Sequence, residues 1–167
     1  PISASVIRRD MYDAMVDQSA AAGAFGHGYT YSGHPVACAV ALKVLEIYQR
    51  DDIFAKAAVT GEYMQKRLAE FKDHPLVGEV RGRGLLGAIE LVANKATGQA
   101  FVGGAVGGFA QKAAQDNGLL LRAVAGSSLG FCPPLIITTA QIDEIIEKTA
   151  IALDVTLDHC LREKLLV

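Results

Sequence analysis

The chain has 167 residues, 51% of them apolar and 20% charged, which is the mix of a globular protein with room for one domain, or one domain plus a piece of another. A net charge of −2 with a pI near 6.1 gives no electrostatic reason to expect nucleic acid or an anionic membrane as partner. No apolar run reaches the roughly 18 residues that a membrane span needs.

The start, PISASVIRRD, has no basic region followed by an apolar one, so it does not read as a signal peptide. Residue 1 is Pro, and Ile2 to Ile7 reads as a strand already under way, as in a chain cut from something longer. Asp10 is placed to cap a short helix through about Val16. Residues 19–35, SAAAGAFGHGYTYSGHP, lack a helical period and read as a loop.

Pro35 suits a first helical turn, and Val36, Val40, Val44 and Ile47, with Ala37, Ala41 and Leu45 beside them, give a wide apolar face. That helix is therefore expected to be well buried or, where the part that would cover it is missing, to expose an apolar patch or pair with another chain. Asp51 or Asp52 is placed to cap a second long helix carrying Ile53, Ala57, Met64, Leu68 and Phe71, ended by His74-Pro75. Val77 to Val92 has strand composition interrupted by glycines, which suggests bulges or close backbone approach. Residues 93–107 read as a loop, and Phe109 to Asp116 as a short helix stopped at Asn117-Gly118. Leu119 to Val124 reads as a strand, and Ser127 to Pro134 turns back as another. Thr138 to Gln141 fits a capping box for a last helix with Ile142, Ile145, Ile146, Thr149, Leu153 and Leu157 inward. The order is that of a mixed α/β chain with a small, mostly antiparallel sheet from about residue 51 onward.

Few residues stand out as chemistry. In HGYTYSGHP, residues 27–35, Thr30, Tyr31 and Ser32 could present hydroxyls and backbone N–H groups to a phosphate, or merely cap the helix that follows. His27 and His34 are seven apart with no third ligand nearby, which disfavours a metal. RGRG at 81–84 lacks the G-x-G-x-x-G spacing and is followed by a strand, so a backbone crossing explains it better than a nucleotide loop. No G-x-S-x-G elbow is present. Arg122, inside the apolar strand LLLRAV, needs a carboxylate partner: either a protein acid such as Glu90 or a substrate held bidentately. Cys38, Cys132 and Cys160 are scattered and odd in number, without metal spacing, and read as buried thiols of a reduced, cytoplasmic chain.

Three segments carry a resemblance. FGHGYTYSGHPVACAVALKVLEI at 25–47, VRGRGLLGAIEL at 80–91 and LLLRAVAGSSLGFCPPLIITTAQIDEII at 119–146 resemble, in order and spacing, the C-terminal part of class III, fold type I aminotransferases. The likeness is to the pyruvate-dependent ω-transaminase group more than to the ornithine group. It implies a pyridoxal 5'-phosphate enzyme, a homodimer, that transfers an amino group from an amine or amino acid to a keto acid such as pyruvate. Residues 1–50 would be a remnant of the large cofactor-binding domain, and 51–167 the small C-terminal domain.

Residue by residue, the resemblance gives Thr30 the role of donor to the cofactor phosphate of the neighbouring subunit, with Tyr29 as its companion. It gives Arg122 the role of the arginine that pairs with the substrate carboxylate and swings away when there is none. The lysine that holds the cofactor lies before Pro1 in the family, so no catalytic residue is carried over. The chain by itself is then expected to be inactive; the alternative is a non-catalytic domain that only associates with a partner chain.

Overall fold

A computed structural model describes residues 2–167, in two compact units that divide between Asp51 and Asp52. In the first unit, residues 2–8 carry no regular structure. The expected strand at Ile2–Ile7 is absent, because an apolar stretch becomes a strand only when a neighbour takes its N–H and C=O groups, and among the described residues none does.

Helix α1 (Arg9–Ala22) begins one residue before Asp10, so Asp10 is not its cap. Asp10 instead lies in the first turn, where its charge suits the helix dipole, and pairs with Arg8 at 2.8 Å. The helix runs past Val16 because Ala20, Ala21 and Ala22 are the best of helix formers. Helix α2 (Pro35–Arg50) starts at its proline as expected, but it has no buried residue. Val36 and Val40 are 64% and 59% exposed, so among the described residues its apolar face is uncovered, the patch expected where the covering part is missing.

The second unit holds the core. Helix α3 (Ile53–Ala69) follows Asp52, whose side chain makes no capping bond and whose φ of 49° is left-handed. A single 3-10 turn over Glu70–Asp73 carries Phe71 inward. The glycine-broken stretch read as one strand is a hairpin: β1 (Val77–Arg83) and β2 (Leu86–Asn94) pair antiparallel, with a bulge between Val77 and Glu79. The region read as a loop at 93–107 contains β3 (Gln99–Ala100), paired with the end of β2, and the start of α4 (Ala105–Asp116). Strand β4 (Arg122–Val124) is shorter than expected, β5 (Ser128–Phe131) returns beside it, and α5 (Thr139–Arg162) closes the chain. The sheet runs β1-β2-β5-β4, antiparallel throughout. The capping box at Thr138 and Gln141 is formed.

Met64 and Leu68 of α3, Ile89 and Leu91 of β2, Leu129 of β5, and Ile142 and Leu153 of α5 are fully buried in one cluster. Cys160 joins them, whereas Cys38 and Cys132 are exposed, contrary to the expectation of three buried thiols. Cys38 sits on the uncovered α2 and Cys132 just past the end of β5, so neither reaches the core.

The glycines of the hairpin earn their place by close approach. A Cβ on Gly61 of α3 would lie 2.6 Å from Gly84 Cα, in the turn between β1 and β2. The RGRG segment is thus a backbone crossing, as its sequence suggests. Gly61→Ala is expected to destabilise the fold by about 1–3 kcal/mol through overpacking against backbone that cannot rotate away. Urea denaturation of the variant checks this; an unchanged midpoint would contradict it.

One titratable group is held against its solvent preference. Burial pushes the His74 imidazole below its usual value, and Lys95 nearby lowers it further; Asp154 opposes this. The Asp154 carboxylate is 3.4 Å from Nε2, which is too long to count as a satisfying hydrogen bond, so desolvation prevails. Nδ1 accepts the Leu76 N–H at 3.2 Å, which fixes the neutral ring with its proton on Nε2. A histidine with a lowered folded pKa binds fewer protons folded than unfolded, so stability falls as pH drops below the ordinary histidine value of about 6.5. Thermal melts from pH 7.5 to 5.5 are expected to show this decline, and His74→Asn to flatten it.

Candidate functional site

Between α1 and α2 the chain makes a tight turn at residues 29–32. The Ser32 N–H donates to the Tyr29 carbonyl at 2.9 Å, and the Tyr29 N–H donates to Ser32 Oγ at 2.9 Å. The His34 N–H then donates to the Tyr31 carbonyl at 3.2 Å, and Pro35 opens α2. Phe25, His27 and Tyr29 line up ring to ring, at 5.8 and 5.6 Å between centroids. Thr30 is exposed at the crest of the turn. Among the described residues, neither its N–H nor its hydroxyl makes a hydrogen bond. No side chain caps the start of α2, so its first N–H groups are open as well. Of the three phosphate donors expected here, Ser32 has its N–H and its hydroxyl oxygen engaged within the turn, while among the described residues Thr30 makes no hydrogen bond.

Arg122 lies in the second unit, so the structure brings Tyr29 and Thr30 together in one turn and leaves Arg122 in a separate body. It is the first residue of β4, opposite Gly130. It is exposed on the wall of a groove of about 740 Å³ between the end of the sheet and α5, rather than buried in a strand as its apolar neighbours suggested. The groove walls are chiefly apolar, from Leu86, Leu119, Leu121, Val124, Phe131 and Ile137. The other cation there, Lys148, is paired with Glu144 at 2.6 Å. Glu90, the protein acid suggested for Arg122, is taken by Arg81 at 2.6 Å across β1 and β2. Among the described residues Arg122 has no ion-pair partner. What this geometry offers is a positive, planar fork beside an apolar wall, suited to a small molecule with a carboxylate and a less polar body.

A family model described as aminotransferase class-III matches residues 1–153. The chain belongs to the class III aminotransferases. As a class III aminotransferase it is 45% identical to a putrescine–pyruvate aminotransferase of Pseudomonas aeruginosa, over 93% of this chain and 33% of that protein. It is 38% identical to a diaminobutyrate–2-oxoglutarate transaminase of Halomonas elongata, over 98% of this chain and 35% of that one. Among solved structures it superposes on the ω-transaminase of Pseudomonas jessenii in complex with PMP with a TM-score of 0.84 at 42% identity, over 91% of this chain and 34% of the other. The chain therefore spans about a third of the length of the relatives it matches. The fold expected from the resemblance, part of a fold type I transaminase, is what these structures share with it.

The eight lysines of this class III chain are exposed except the half-buried Lys148. Lys43 and Lys56, expected on solvated helix faces, are both exposed, and Lys43 pairs with Glu46. Sequence reasoning missed Lys148, Glu144 and Cys132 as groove-lining residues. The α5 residues could have been found by following the outward face of that helix as well as the inward one.

Proposed function

We propose that this segment is the C-terminal portion of a pyridoxal 5'-phosphate-dependent aminotransferase that passes an amino group from an amine or amino acid to a keto acid such as pyruvate. The observation that carries the reading is Arg122, an unpaired guanidinium on the wall of an apolar groove. The two relatives quoted are named for different keto acids, pyruvate and 2-oxoglutarate. Both carry a carboxylate next to the carbonyl, and that carboxylate is the feature a bidentate arginine would hold.

The residues of the 29–32 turn fit a phosphate. The free hydroxyl and N–H of Thr30, with Tyr29 beside it, would hold the cofactor phosphate, offered across a homodimer to the neighbouring subunit. When bound, the cofactor supplies the carbonyl carbon that carries the amino group and the ring that takes up electrons. The chain's own residues bind and orient: Thr30 anchors one end of the cofactor, and Arg122 sets the substrate carboxylate. The two compact units would be a part of the large cofactor-binding domain, about 1–50, and the small C-terminal domain, about 51–167. The scattered thiols suit a reducing, cytoplasmic setting.

The exposed apolar face of α2 favours association with further protein, whether a second copy or the remaining two-thirds of the enzyme. On that reading the complete enzyme forms alanine from pyruvate and an amine, and the 167-residue chain alone does not. Formation of alanine from pyruvate or of glutamate from 2-oxoglutarate, measured by chromatography with both proteins given excess cofactor, tests the proposal; neither product from the complete enzyme with any amine or amino acid donor would reject it.

A further inference from the structure

Resting on the reading of Thr30 as a phosphate donor, we propose that Ser32 is the positioning residue that holds Thr30 in its donating pose. The turn at 29–32 is closed twice between the same two residues. The backbone bond runs from the Ser32 N–H to the Tyr29 carbonyl, and the side-chain bond runs from the Tyr29 N–H back to Ser32 Oγ, both at 2.9 Å. Thr30 and Tyr31 are the central residues of this ring, so both dihedrals of Thr30 are set by a clamp to which Thr30 contributes no bond of its own. A single backbone bond leaves an exposed four-residue turn free to open, and many such turns lack even that bond. The reciprocal side-chain bond satisfies the Tyr29 N–H and leaves the Thr30 hydroxyl and N–H uncommitted, which is the state a phosphate requires. Preorganisation of this kind raises affinity by removing the ordering cost from the binding step. In this account Ser32 acts through the turn, its hydroxyl oxygen accepting the Tyr29 N–H.

The test uses the full chain and pyridoxamine 5'-phosphate, which carries the phosphate but no aldehyde to react with surface lysines. Backbone amide NMR follows a titration into the tens of millimolar. In the wild type the Thr30 and Tyr31 amides are expected to shift on titration. Ser32→Ala should speed hydrogen exchange at the Tyr29 amide, leave the α2 amides in place, and weaken binding by about fivefold, the scale of one hydrogen bond. Ser32→Thr, which keeps the hydroxyl, should restore both. Thr30→Ala should weaken binding while Tyr29 exchange stays slow, read at the Tyr31 amide. If Thr30→Ala binds as the wild type does, or the wild type shows no shift at this turn, the phosphate reading falls and the proposal with it. If Thr30→Ala weakens binding but Ser32→Ala does not, despite faster Tyr29 exchange, the positioning role alone is overturned.

Discussion

Replacing Arg122 with alanine in the complete enzyme is expected to lower kcat/KM for pyruvate by about a hundredfold, a loss of roughly 3 kcal/mol. Two hydrogen bonds from a guanidinium to a carboxylate are worth about 1.5–3 kcal/mol each, and an exposed groove places them at the low end. A simple amine makes no such pair, so its kcat/KM should change by no more than about threefold, the scale left to packing alone. Arg122→Lys keeps the charge but loses the planar fork, and should fall between the two. Steady-state kinetics with both substrate classes check this. Equal losses on pyruvate and on amine would mean that Arg122 supports the fold or the cofactor rather than the carboxylate.

The second large effect is expected from the chain alone. Thr30 offers a hydroxyl and an N–H, and two hydrogen bonds to a charged group supply at most about 6 kcal/mol before the cost of immobilising the ligand. Millimolar affinity already needs about 4 kcal/mol. The lysines within the chain are exposed apart from the half-buried Lys148, which is held by Glu144. The 167-residue chain is therefore expected to lose pyridoxal 5'-phosphate completely on dialysis and to show no visible cofactor band at stoichiometric loading. Adding a polypeptide that supplies the remaining two-thirds of the relatives' length should restore retention. Stoichiometric, dialysis-resistant cofactor on the chain alone would show that one of its own lysines serves, and would overturn the residue assignments.

Much of the fold was legible because the signals were local. The capping box at Thr138 and Gln141, the proline that starts α2, and the buried series Ile142, Ile146, Thr149 and Leu153 all act within one element. What failed depended on partners. Ile2–Ile7 has strand composition but no strand to pair with among the described residues, and α2 has the apolar face of a buried helix but carries no buried residue. The hairpin at 77–94 was missed because its turn, Gly84-Leu85, has no polar turn residue; its conformation is dictated by the approach of α3 at Gly61. The start of α4 was hidden by Gly107 and Gly108, which lower helix propensity. Gly107 is needed because a Cβ there would lie 2.6 Å from the Gly126 carbonyl oxygen. Of the site, Thr30 and Arg122 could be named from residue chemistry and resemblance. That Glu90 is engaged by Arg81, leaving Arg122 unpaired, is a matter of strand register and could not be read in advance.

The most direct measurement of the account is the cofactor dissociation constant of the complete enzyme carrying Thr30→Ala, by equilibrium dialysis. The account predicts a rise of about tenfold over the wild type, the scale of one hydrogen bond to a charged phosphate, with activity recovered at excess cofactor. A dissociation constant equal to that of the wild type would contradict it.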